Sequence, residues 1–134
     1  MEHVHTLEKY LLKIYDLLKD DGFLFIAVPN YTSFDAKYYK LFWATFDVPR
    51  HLWHFSPATF NRLMKRFNFK VLTKKRMPLD AFYVSLLSER HKQSGKLLLL
   101  FRGFCIGLMS YLKSLINVDS SSSIIYVLQK KNTH

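Results

Sequence analysis

Six consecutive apolar residues, Phe23 to Val28 (FLFIAV), stand between Lys19-Asp20-Asp21-Gly22 and Pro29-Asn30. A short uninterrupted run closed at both ends by turn residues reads as a strand buried on both faces of a parallel sheet. Upstream, Leu7, Leu11, Ile14 and Leu18 recur at helical spacing, with Glu8, Lys9, Lys13 and Asp16 on the other faces. This spacing predicts an amphipathic helix over residues 6–19, with Gly22 supplying a left-handed residue after its end. Helix, tight turn, buried strand and break make the second half of a βαβ unit, and hence an α/β fold.

The remainder of the chain extends that pattern. Residues 31–55 are rich in aromatics without a strong period and read as a loop with a short helix near 34–42. Ser56-Pro57 is a helix start, a capping hydroxyl followed by proline at the first helical position. Phe60, Leu63, Met64 and Phe67 follow at i, i+3, i+4 and i+7, with Arg62, Lys65 and Arg66 facing outward. Phe69 to Arg76 reads as a strand ended near Pro78, and Asp80 as the cap of a helix running to Glu89. Ser120 to Ser123 reads as a polar linker before a final strand, Ile124 to Leu128.

Leu97 to Ile116 is apolar except for Arg102, Ser110, Lys113 and Ser114, and it follows Arg90, His91, Lys92 and Lys96. Its length suits a bilayer span, but Arg102 and Lys113 are costly at that depth. An interfacial helix with a basic flank is a second form. The expectation is a third, a buried helix pair hinged near Gly107. The 134 residues then make one domain, with residues 80–118 as a helical insertion.

Charge narrows the partners. Twenty Lys and Arg against ten Asp and Glu give a formal +10. That balance points to an anionic partner, or to acidic residues elsewhere in a larger molecule. Lys74, Lys75, Arg76, Lys130 and Lys131 come with no recognition motif, so no specific nucleic acid is expected. The single cysteine, Cys105, excludes an intrachain disulfide, fits a reducing compartment and sits in the apolar run as a core residue. The N-terminus carries Glu2, His3, His5 and Glu8 where a signal peptide would be basic and then apolar. A cytoplasmic protein is expected, peripheral to a membrane if the apolar segment reaches one.

Taken in order, several segments resemble one family. They are Glu2-His3-Val4, the helix ending Leu17-Leu18-Lys19-Asp20-Asp21-Gly22, the strand FLFIAVPN, the stretch PRHLWHFSPATFNRLMKRFNFKV and the strand IIYVLQKK. Together they resemble the C-terminal half of a class I S-adenosylmethionine-dependent methyltransferase. The likeness is to the bacterial branch resembling the quinone-biosynthesis O-methyltransferases, with its "EHV", "VPN" and "RHLHHFS" segments. It covers residues 2–72 well and 124–131 weakly. It implies a partial Rossmann-like sheet in which 23–28 is strand five, 69–76 strand six and 124–129 an antiparallel strand seven inserted between them. It also implies that the glycine-rich loop and the ribose-binding acidic residue of the cofactor site precede Met1. No G-x-G pattern occurs and there are only four glycines. The chain alone is therefore expected not to bind S-adenosylmethionine, and to be a fragment, a truncated product or one piece of a split enzyme. Strand 23–28, lacking strand four, is left with an open edge suited to self-association or a partner.

The resemblance also indicates the candidate residues. Glu2 and His3 match the rim of the cofactor pocket, with His3 either a base near the reacting methyl or part of a frayed end. Asn30, at the carboxyl end of a strand, is either a substrate contact or a turn residue. Arg50, His51, Trp53 and His54 form a substrate-side wall, in which His51 or His54 polarises an acceptor hydroxyl. Alternatively, Trp53 and Phe55 anchor the loop and His54 bonds backbone. His3-x-His5 and His51-x-x-His54, with Asp47 nearby, invite a metal reading, but structural zinc favours cysteine ligands, and no metal is expected. The acceptor is expected to be a small molecule of lipophilic character.

Overall fold

The computed structural model describes residues 1, 3–93 and 95–131. The predicted first helix forms as α1 (Leu7–Leu17), which turns Leu7 and Leu11 into the core. Leu18 is extended and ends the helix. Gly22 is not left-handed. Its glycine character serves close packing, since a Cβ there would lie 3.0 Å from both Leu18 Cδ1 and the Lys19 carbonyl oxygen.

β1 (Leu24–Pro29) alternates instead of being buried throughout. Ile26 and Val28 point into the core, while Phe25 is 66% exposed. The expectation of a strand buried on both faces is thus corrected. Phe25 and Ala27 on its second face are exposed, so an apolar run is present without two-sided burial. β2 (Phe69–Arg76) and β3 (Ser123–Lys130) complete a sheet of order β1-β3-β2. β3 is antiparallel to both neighbours, pairing Ile26 with Tyr126 on one side and Lys74 with Tyr126 on the other. A bulge between Val71 and Thr73 shifts the β2 register.

One sheet face carries the main core. Ile26 and Val28 of β1 meet Ile124, Tyr126 and Leu128 of β3 and Phe69 of β2, beneath Leu7 and Leu11 of α1. α3 (Pro57–Arg66) adds Phe60 and Met64, and the Phe60 ring stacks on Tyr126 at 3.9 Å. Ser56 and Thr59 form a reciprocal capping box with Pro57 at the first position, as the Ser-Pro signal predicts.

A second layer is helical. α2 (Phe34–Tyr39) is followed by two 3₁₀ turns, Lys40–Phe42 and Ala44–Phe46. α4 (Asp80–His91) is preceded by Leu79 at the capping position, so Asp80 lies in the first turn and does not cap the helix. α5 (Lys96–Ile116) is one continuous helix of 21 residues. This corrects the hinged pair. Gly107 is there for contact, since a Cβ would come 2.8 Å from Phe82 Cα, and at Gly103 one would come 2.7 Å from Leu86 Cδ2. These pairings run α4 and α5 antiparallel at close range. The serines read as a linker are also reassigned, since Ser121, Ser122 and Ser123 are buried.

What ties the helical layer to the sheet is a carboxylate. Asp35, fully buried on α2, accepts hydrogen bonds from Trp43 Nε1 (2.8 Å), Ser110 Oγ of α5 (2.7 Å) and Ser122 Oγ beside β3 (2.7 Å). Three donors around one buried carboxylate satisfy a group that would otherwise be expensive to bury.

Candidate functional site

The stretch Asp47 to Phe55 leads from the second 3₁₀ turn to α3. Asp47 is left-handed (φ 33°) and its carbonyl accepts from both the Arg50 and His51 backbone N–H groups, which closes a tight turn. The turn folds the loop back on itself, so each of its histidines meets a main-chain carbonyl. His51 Nδ1 lies 2.6 Å from the Thr45 oxygen, and His54 Nε2 lies 3.1 Å from the Phe46 oxygen. His3 Nδ1 lies 3.1 Å from the Arg50 oxygen, and its ring packs against His51 with centroids 4.6 Å apart. A carbonyl only accepts, so each of these nitrogens carries the proton. For His51 in the neutral form, Nε2 is therefore the basic nitrogen.

Three histidines separated by up to 51 positions are thus brought together. Only His51 of the three lines the neighbouring cleft, a cavity of about 380 Å³. Its walls are the end of β1 (Ala27, Val28, Pro29), the Ala44–Thr45 turn with Asp47, and Asp80, Tyr83, Val84 and Leu87 of α4. His54 instead packs edge-on to Phe46, in a tight seam with Trp43 and Tyr31. Among the described residues, no group of three or more His, Cys, Asp or Glu side chains could hold a metal ion.

The other expected residues serve the framework. Asn30 is 2% exposed and its amide nitrogen donates to the Asp119 and Ser121 carbonyls, while its oxygen accepts from Thr32 N–H and Oγ1. As placed, it has no polar group left for the cleft; its neighbour Pro29 lines it. Trp53 donates from Nε1 to the Val4 carbonyl (2.8 Å) and so clasps the N-terminal segment to the loop. The Arg50 side chain is largely exposed and 3.9 Å from Asp47. Phe55 is in the core. Glu2 lies outside the described residues.

Asp80 is the residue that sequence reasoning missed. Read as a helix cap, it instead contributes a buried Oδ2 to the cleft wall, with no hydrogen-bond partner among the described residues. Burial raises its pKa above the ordinary value, Ser123 offsets part of that, and the charge of Asp35 adds to it. Its i, i+4, i+7 spacing with Val84 and Leu87 was the available signal. Behind the cleft, burial raises the Tyr39 phenol, and Glu89, buried on α4, pushes the same way.

The profile of a methyltransferase-domain family matches residues 1–74, just over half of the chain. This segment runs from the clasped N-terminus through β1, the histidine loop and α3 into β2. The chain belongs to the methyltransferase domain family. No curated protein matches it. Methyltransferase domains of this kind generally use S-adenosylmethionine, and the described residues do not fit that cofactor. Of the four glycines, Gly22 closes the α1–β1 turn, Gly95 precedes α5, and Gly103 and Gly107 face α4. None follows a strand to cradle the ligand, and Asp35, the carboxylate buried beside β3, is consumed by its three donors.

Proposed function

We propose that this chain is the acceptor-side portion of an S-adenosylmethionine-dependent methyltransferase whose cofactor-holding groups lie outside it. The strand order supports this reading. An antiparallel β3 between β1 and β2 is the arrangement expected of strands five, seven and six in the C-terminal half of the fold, as in the quinone-modifying branch. The observation that carries it is His51, with Nδ1 committed to the Thr45 carbonyl at the edge of an apolar cleft.

In that arrangement His51 takes the proton of an acceptor hydroxyl at Nε2, and the Thr45 carbonyl stabilises the resulting imidazolium. The unpartnered Asp80 oxygen fixes the orientation of the acceptor. Val84, Leu87, Met77 and Tyr83 favour an aromatic or otherwise lipophilic acceptor and keep water from its reacting oxygen. Trp53 and His3 hold the loop that carries His51.

Two titrations test this. Calorimetry of residues 1–134 with S-adenosylhomocysteine is expected to show no binding, and a micromolar dissociation constant would overturn the assignment of the cofactor groups elsewhere. Titration with lipophilic catechols and hydroquinones, followed by nuclear magnetic resonance, is expected to shift His51 and α4 resonances at Asp80 and Val84. If no such compound perturbs the cleft, the acceptor-side reading fails and a non-catalytic interaction module replaces it.

A further inference from the structure

α5 turns its small residues inward and its large ones outward. Gly103, Gly107, Ser110 and Ser114 are buried against the rest of the molecule. Leu97, Phe101, Phe104, Leu108, Leu112 and Leu115 lie on the opposite side, with Leu97 at 84% and Phe101 at 68% exposure. At 100° per residue these side chains occupy one continuous half of the helix surface. An outward face this apolar inverts the usual arrangement, in which the large side chains of a helix face the core. Its length and composition suffice to cross a membrane, yet one side is committed to α4 through glycine contacts.

Charge decides what covers the face. Arg102 and Lys113 lie in line on one margin of the apolar half, three helical turns apart, and both are exposed, with Lys113 Nζ 4.6 Å over the Phe34 ring. Arg90, exposed at the end of α4, and Lys96, exposed at the start of α5, add further positive charge there. No Asp or Glu occurs anywhere in α5. The chain carries a formal +10, so two copies meeting on this face would bring like charges together. An anionic lipid surface matches both halves of the pattern, taking the leucines and phenylalanines among its acyl chains and the two cations among its headgroups.

We infer that α5 is an in-plane membrane-docking helix, which seats the molecule on an anionic lipid bilayer. A helix of 21 residues lies about 30 Å along the surface and immerses its apolar half without carrying Arg102 and Lys113 into the hydrocarbon. The α4 contact keeps it in plane, because tilting α5 into the bilayer would strip Gly103 and Gly107 from Leu86 and Phe82. This inference does not depend on the chemistry proposed for the cleft.

Flotation of the full chain with liposomes tests it, with no cofactor or acceptor present. The chain is expected to float with vesicles of phosphatidylcholine and phosphatidylglycerol, and more weakly with phosphatidylcholine alone or at high salt. The double variant Phe101→Asp and Phe104→Asp is expected to lose more than about tenfold in partitioning, since Phe101 is exposed, Phe104 is more than half exposed beside Phe82, and lipid would bury the rest. Circular dichroism establishes that this variant folds. The milder Arg102→Gln and Lys113→Gln pair, which leaves the apolar face intact, is expected to weaken only the anionic component. The inference is overturned by a chain that stays in the aqueous fraction, or by folded variants that float like the parent. Sedimentation as a dimer that depends on Phe101 and Phe104 without flotation would overturn it in favour of a second copy. Bound protein that resists alkaline extraction would overturn it in favour of a spanning helix.

Discussion

Replacing Asp35 by alanine removes the acceptor for three donors at once. The indole Nε1–H of Trp43 has no second option, because Trp43 is 1% exposed. Leaving such a donor buried and unpaired costs about 1–3 kcal/mol. The Ser110 and Ser122 hydroxyls can rotate, so each loses nearer the net value of a hydrogen bond, about 1 kcal/mol. Relief of the buried charge, and of its repulsion on Asp80, offsets some of this. The expected net loss for Asp35→Ala is therefore about 2–4 kcal/mol, against roughly 5–15 kcal/mol for a whole domain. Asp35→Asn keeps an oxygen for Trp43 and Ser122 and turns an N–H₂ toward Ser110, whose hydroxyl can accept, so it is expected to lose only about 1–2 kcal/mol. Urea unfolding followed by tryptophan fluorescence measures both, since Trp43 reports the network directly. An alanine variant within about 1 kcal/mol of the parent, or an asparagine variant as damaging as alanine, would refute the claim that this carboxylate joins the helical layer to the sheet.

Asp80 gives a pH-dependent test. Its folded-state pKa lies above the ordinary 3.8, so folding favours the neutral form. Its stabilising contribution is fully present below 3.8 and is lost as pH rises through the folded value. Asp80→Asn should match the parent in acid and exceed it in thermal stability near neutrality; a less stable variant at pH 7 would contradict this. Gly107→Ala gains helix propensity but puts a methyl against Phe82 Cα, and chemical denaturation is expected to show a net loss of roughly 1–3 kcal/mol. The outer edge of β1, unpaired among the described residues, is expected to let the chain self-associate, more so as salt screens its positive charge. Analytical ultracentrifugation should then show Phe25→Lys shifting the population toward monomer, and a parent chain that stays monomeric at high concentration would count against it.

The elements most legible in the sequence were those set by local chemistry. The Ser56-Pro57 start and the β2 bounds follow from capping and from Pro78, and the helix before Gly22 follows from leucine spacing. Burial was less legible. FLFIAV is as apolar as a strand covered twice, but what lies over Phe25 is decided by the rest of the molecule and not by the run itself. Gly107 looked like a hinge because glycine's helix cost is local, whereas its use, the approach to Phe82, is made by α4. Ser122 looked solvated because its partner Asp35 lies 87 positions away. In the site, the histidines stood out by type and clustering. Asp80 did not, because a carboxylate early in a helix is usually a dipole partner, and only the fold brings it to the cleft that His51 also lines.

The strand order has one more consequence, for how the molecule is built. β3 is the last of the three strands to be synthesised and the only one that touches both others. Until it arrives, β1 and β2 have no strand partner among the described elements, and the apolar faces of α1 and α3 have no floor. Pairing Leu24 with Leu128 closes a loop of about a hundred residues, so the sheet forms late and in one step. During synthesis the nascent chain therefore exposes Phe25, α5 and two lone strands together, the state in which aggregation competes with folding. A chaperone, or early adsorption of α5 to a surface, would act in that interval.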